Sequence, residues 1–125
     1  MEKKKILLVD DEESLLRLLK RVLEQKGYEV AVEQNATQAS QKAREFKPQI
    51  IFIDITMPEM EGSAVASEIR SDSTLKQVPI IFLTGAVSSE EVESSGGKIG
   101  GEFFLAKPID ANKLVHCIEE HLTSE

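Results

Sequence analysis

The chain has 125 residues, with 15 basic side chains against 22 acidic ones and a net charge of −7. That length suits a single domain over 1–125 with one core, and an acidic chain with no basic run beyond Lys3-Lys4-Lys5, read as a solvated lead-in, is a poor nucleic-acid binder. No apolar stretch approaches the roughly 20 residues that cross a bilayer, no signal peptide opens the chain, and Cys117 has no partner for an internal disulfide, so the expectation is a cytoplasmic protein with no membrane contact.

In chain order, apolar runs alternate with segments of helical period. The first strand is expected near 5–9, over Ile6-Leu7-Leu8-Val9, and ends in Asp10-Asp11. A helix from Glu13 to Lys26 follows, with Leu15, Leu16, Leu19, Val22 and Leu23 as its apolar stripe and Gly27 as its stop. After a strand near 28–33, a second helix over 36–46 is capped by Asn35, ended by Pro48, and faces inward with Ala36, Ala39, Ala43 and Phe46. The third strand, near 49–54, ends in Asp54, and a helix after Gly62 turns Val65 and Ile69 inward. The fourth strand, near 78–83, leads into Thr84. A short fourth helix is expected over Ser88–Ser95, where Ser88 and Glu91 suit a capping box and the glycines that follow weaken helix formation. The fifth strand, near 102–106, ends in Lys107-Pro108. A last helix starts at Asp110 and buries Leu114, Val115, Ile118 and Leu122, with Cys117 as a packed or partly exposed thiol and His116 and His121 at its surface.

Five strands alternating with helices give an α/β fold with a parallel sheet covered on both faces. Right-handed crossovers, with a reversal of winding after the first, place strands one and three side by side. Ligands in such sheets bind at the carboxyl ends of the strands. Asp10, Asp11, Asp54, Thr84 and Lys107 all stand at such ends. Three carboxylates, a hydroxyl and an ammonium in one crevice describe a site for a divalent cation and a phosphoryl group. Each residue also has a plainer role: Asp10 and Asp11 could cap the first helix, Thr84 could merely end a strand, and Lys107-Pro108 could be a solvated turn. Asp54 is the exception, because an acid that ends a fully apolar strand has no obvious structural use.

The pattern Asp10-Asp11, Asp54-Ile55-Thr56-Met57-Pro58 with Gly62, Thr84-Gly85-Ala86 and Phe104-Leu105-Ala106-Lys107-Pro108 resembles the receiver domain of two-component response regulators, of the chemotaxis-receiver type, over nearly the whole chain. The resemblance implies a three-layer flavodoxin-like (βα)5 fold with strand order 2-1-3-4-5. It implies that Asp54 accepts a phosphoryl group from a phosphohistidine of a sensor histidine kinase or histidine phosphotransfer protein. Mg²⁺ would be held by Asp11 and Asp54 directly, by Asp10 through water or from behind, and by the Thr56 carbonyl. Lys107, the Thr84 hydroxyl and the Gly85 N–H would take the phosphoryl oxygens. The resemblance also implies a cis bond at Pro108 and a switch in which Thr84 moves toward Asp54, Phe104 turns inward, and the face of helix four, strand five and helix five changes for an output domain or partner.

Some positions depart from the family pattern. Phe103 stands where an acid is common and, if exposed, favours an apolar partner contact. Helix four lacks the basic residues of a salt-bridged dimer face. Thr56 and Ala86 carry no carboxylate or amide to orient an attacking water, so the expected phosphoryl signal is persistent. The chain is expected to be a signalling phosphoacceptor rather than an enzyme. The rival reading, a phosphatase of the haloacid dehalogenase type, needs Asp-x-Asp after the first strand, whereas here the acids are adjacent.

Overall fold

The structure is a computed structural model that describes residues 3–85, 98–99 and 102–122. Its strands are β1 (Lys5–Val9), β2 (Glu29–Glu33), β3 (Ile50–Asp54), β4 (Ile80–Thr84), β5 (Lys98–Ile99) and β6 (Glu102–Ala106). Its helices are α1 (Glu13–Gln25), α2 (Ala39–Phe46), α3 (Gly62–Arg70) and α4 (Ala111–Leu122). The helix expected over Ser88–Ser95 lies outside the described residues, so α4 is the element expected as the fifth helix.

The five long strands form one parallel sheet in the order β2-β1-β3-β4-β6. This is the 2-1-3-4-5 order of a flavodoxin-like fold. One strand was not anticipated: β5 pairs antiparallel with β6, Lys98 opposite Phe103 and Ile99 opposite Glu102. Two residues among glycines are too short to carry a periodic signal.

β1, β3 and β4 are continuous apolar runs because both faces of the sheet are covered. Alternate residues serve opposite layers. Ile6, Leu8, Phe52, Ile81 and Leu83 pack with Leu16, Leu19 and Leu23 of α1 and with Leu114, Ile118 and Leu122 of α4. Leu7, Val9, Ile51, Ile53 and Phe82 pack with Ala39 and Ala43 of α2 and with Val65, Ala66 and Ile69 of α3. The stripe expected on α1 is narrower than read: Leu16, Leu19 and Leu23 are buried, and Leu15 and Val22 only half-buried.

The second helix begins differently from the expectation. Ala36–Gln38 is a 3₁₀ turn, and the α-helix starts at Ala39. Asn35 Oδ1 accepts from the Thr37 N–H at 2.9 Å and the Thr37 hydroxyl at 2.7 Å, which tightens that first turn. Lys47 ends the helix in the left-handed region at φ 56°, ahead of Pro48. Lys5 opens β1, as the strand expected near 5–9 has it, but its side chain is not merely solvated: the ammonium donates to the Phe46 carbonyl at 3.1 Å over the Phe46 ring. A cation at the negative end of α2 is favourable there.

Candidate functional site

The parallel register aligns the carboxyl ends of β1, β3, β4 and β6. Val9 pairs with Ile53, Asp54 with Leu83, and Thr84 with Ala106. The residues that follow each strand therefore gather at one rim. Oxygens of Asp10, Asp11 and Asp54 all lie within 4.8 Å of one another. The Lys107 ammonium stands 3.0 Å from Asp10 Oδ2 and 3.4 Å from Asp54 Oδ2. The Lys107–Pro108 peptide bond is cis, and the Lys107 N–H donates to the Thr84 carbonyl at 2.7 Å. Thr84 is buried at the same rim, Gly85 is exposed beside it, and Thr56 is exposed on the loop after β3.

The adjacent acids differ in depth. Asp10 is fully buried, whereas Asp11 is exposed. Asp10 does not cap α1, and its two oxygens face different ways. Oδ1 accepts from the Glu12 N–H at 2.9 Å, an Asx turn just ahead of α1, whose N-cap Glu12 makes no side-chain cap. Oδ2 is buried, and among the described residues its partner is the Lys107 ammonium at 3.0 Å.

Asp54 Oδ1 accepts from the Thr56 N–H at 3.2 Å. Burial pushes the Asp54 carboxyl above the usual carboxylate range. The Thr56 N–H works against that shift, the Asp10 charge adds to it, and Lys107 opposes it. Burial likewise disfavours the charge of Lys107, but Asp10 and then Asp54 outweigh it, and its ammonium is held above the ordinary value. One cation thus serves two buried carboxylates, and the cluster carries surplus negative charge.

Three carboxylates this close, with one ammonium between two of them, fit a small hard cation.

The loop after β3 is fixed by Gly62. Its N–H donates to the Ile55 carbonyl at 2.9 Å, and a Cβ there would come 2.5 Å from the Asp54 carbonyl oxygen and 2.7 Å from Ile55 Cα. Only glycine lets α3 start this close to the strand end that carries Asp54.

Phe104 lies on the α3 side of β6, half-buried, with its ring 5.6 Å from that of Phe82. Phe103 faces the other layer. It is half-buried and meets His121 edge to face at 4.7 Å, so it is not the bare aromatic that the sequence allowed. His121 is also less free than expected, with Nδ1 2.9 Å from the Cys117 carbonyl, whereas His116 is exposed beside Glu120. Ala86 lies outside the described residues. The sequence reading missed one contact near Phe104: Arg70, the last residue of α3, makes a two-pronged ion pair with Glu102 at 2.9 and 3.2 Å.

Comparison with known proteins agrees with this geometry. Residues 6–119 match the family model of the response regulator receiver domain. The chain is 31% identical over 120 residues to the polar-differentiation response regulator DivK of Brucella anthropi, covering 95% of this chain and 96% of that protein. Its structure superposes on that of the chemotaxis protein CheY4 of Vibrio cholerae with a TM-score of 0.82 at 30% identity, over 97% of this chain and 100% of the other. The signal receiver domain of a putative LuxO repressor protein from Vibrio parahaemolyticus is similar at a TM-score of 0.78 and 30% identity, over 98% of this chain and 92% of that one. Among the described residues no helix is long and apolar enough to cross a membrane.

Proposed function

The chain belongs to the response regulator receiver domain family of two-component signalling, and from that premise we propose that Asp54 is the acceptor of a phosphoryl group delivered by a histidine kinase or histidine phosphotransfer protein. The observation that carries the proposal is the carboxylate cluster itself: Asp10, Asp11 and Asp54 within 4.8 Å, with the Lys107 ammonium shared between Asp10 and Asp54. In the transfer, an Asp54 oxygen forms the new bond to phosphorus as the phosphorus–nitrogen bond to the donor imidazole breaks, leaving an acyl phosphate on Asp54 and a neutral histidine on the donor.

An anion attacking an anionic group is the difficulty, and positive charge at the rim is the answer. Asp10, Asp11, Asp54 and the Thr56 carbonyl would hold Mg²⁺. When bound, that ion supplies charge neutralisation at the phosphoryl oxygens. Lys107 keeps its proton under the influence of the two carboxylates and offers it to a phosphoryl oxygen. The Thr84 hydroxyl and the Gly85 N–H are donors for the remaining oxygens. The Thr56 N–H orients the acceptor carboxylate from behind.

On this reading the protein is a phosphoacceptor that works by changing shape, not a turnover enzyme, and it acts in the cytoplasm. Thr84 and Phe104 are the moving parts, and the surface around β6 and α4 meets the output partner. The test is the intact mass after incubation with acetyl phosphate, with and without Mg²⁺, for the native chain and Asp54→Asn. A single Mg²⁺-dependent phosphoryl adduct that the variant lacks is the expected result. An adduct that survives in Asp54→Asn would overturn the assignment, and steady release of phosphate from a generic phosphate ester would favour an enzyme instead.

A further inference from the structure

We propose that Arg70 and Glu102 form a latch that holds β6 against α3 in the resting conformer and so limits how readily Asp54 takes up a phosphoryl group; the phosphoryl part of this inference rests on the function proposed above. The pair is two-pronged, with Arg70 Nη2 2.9 Å from Glu102 Oε1 and Nη1 3.2 Å from Oε2. It joins residues 32 apart in sequence, so it ties two elements rather than trimming one. Paired forks of this kind are steep in distance and angle, and a small slide of β6 along α3 breaks both prongs together.

The placement of the pair gives it leverage. α3 begins at Gly62, packed on the Asp54 backbone, and ends at Arg70. Glu102 and Phe104 are two apart on β6 and therefore point to the same face. On that face Phe104 packs in the layer built by Val65, Ala66 and Ile69 of α3 and by Phe82. β6 also ends in Lys107, whose ammonium bridges Asp10 and Asp54. One helix thus touches the acceptor strand at its start and the strand carrying both Phe104 and Lys107 at its end. A contact present in one conformer and lost in the other biases the equilibrium by its own strength.

The side chains are about two-fifths exposed, so the latch is modest, and its loss is expected to change rates by about three- to five-fold. The experiment compares the native chain, Arg70→Gln, Glu102→Gln and the charge-reversed double variant Arg70→Glu with Glu102→Arg. Each is followed by intact mass during phosphorylation from acetyl phosphate with Mg²⁺, and by hydrogen exchange at the β6 amides before any phosphoryl donor is added. Both single variants are expected to react about three- to five-fold faster and to exchange faster at β6 than at β1, and the double variant is expected to return toward native values. Singles that melt earlier but keep native rates and native β6 exchange would overturn the latch and leave an ordinary surface ion pair. If the native chain takes no phosphoryl group, the Asp54 assignment fails, and the exchange comparison still decides for or against the latch.

Discussion

Lys107 stands 3.0 Å from Oδ2 of Asp10, a fully buried carboxylate. That cation also reaches Asp54 at 3.4 Å, so removing it strands two buried carboxylates at once. Lys107→Ala is expected to lose about 1–3 kcal/mol of stability without divalent ions, and to recover part of it in Mg²⁺ if the proposed cation site binds the ion in the folded chain alone. Urea unfolding with and without Mg²⁺ measures both. Mg²⁺ that stabilises neither the native chain nor the variant would show that the cluster does not hold the ion.

Asp54 supplies the pH dependence. Its folded carboxyl lies above the ordinary 3.8, chiefly through burial. A group raised on folding gives stability that is complete below its unfolded value and is lost as pH rises through its folded value. Asp54→Asn removes that loss. The variant is therefore expected to gain on the native chain as pH rises above about 3.8. Unfolding curves at several pH values give the difference directly, and a gap that stays constant or closes with rising pH contradicts the sign.

Much of this site was legible before any coordinates. The apolar runs that become β1, β3 and β4 are dictated by a sheet buried on both faces, and the ends of parallel strands must converge, so Asp10, Asp11, Asp54, Thr84 and Lys107 could be grouped from sequence alone. The unequal depth of Asp10 and Asp11 could not, since adjacent acids are chemically alike and differ only in the direction that the turn gives them. Arg70–Glu102 was hidden for a different reason: no local period links residues that far apart, and half-exposed charges look like solvated surface. Lys5 was misread because the carbonyl it finds belongs to the end of α2, a partner that only the packing brings near.

Gly62 tests whether the loop after β3 positions the acceptor. Gly62→Ala puts a methyl group 2.5 Å from the Asp54 carbonyl oxygen, where backbone has to move. A loss of about 2 kcal/mol or more is expected, together with a fall in phosphorylation greater than in a Val65→Ala variant destabilised to the same degree. If the two variants lose stability and reactivity in the same proportion, Gly62 matters only for folding.

Thr56 is exposed beside the acceptor and has no amide to orient a water. Thr56→Asn adds one. The acyl phosphate on that variant is expected to decay faster, by about two- to ten-fold if the effect is that of one positioned hydrogen bond of about 0.5–1.5 kcal/mol. The decay is read from the mass of the adduct after the donor is removed. Indistinguishable decay would remove Thr56 from any part in signal lifetime.

Cys117 makes the last prediction, and it concerns the α4 layer. Burial first and the Glu120 charge second push its thiol up to about 12. Only thiolate reacts with alkylating agents, so at pH 8 the folded chain should label far more slowly than the same chain in denaturant. The sign for stability follows the same rule as for Asp54. Folded and unfolded chains bind this proton equally below about 9, the unfolded chain gives it up first, and stability falls as pH rises from about 9 toward about 12. Cys117→Ala flattens that alkaline limb while losing some packing, since the side chain sits in the same cluster as Leu114, Ile118 and Leu122. Because Cys117 and His121 also share a helix turn with the ring of Phe103 against them, labelling that accelerates on phosphorylation would report a loosening of the α4 face. Labelling that does not change would confine the rearrangement to the α3 side of the sheet, where Phe104 lies.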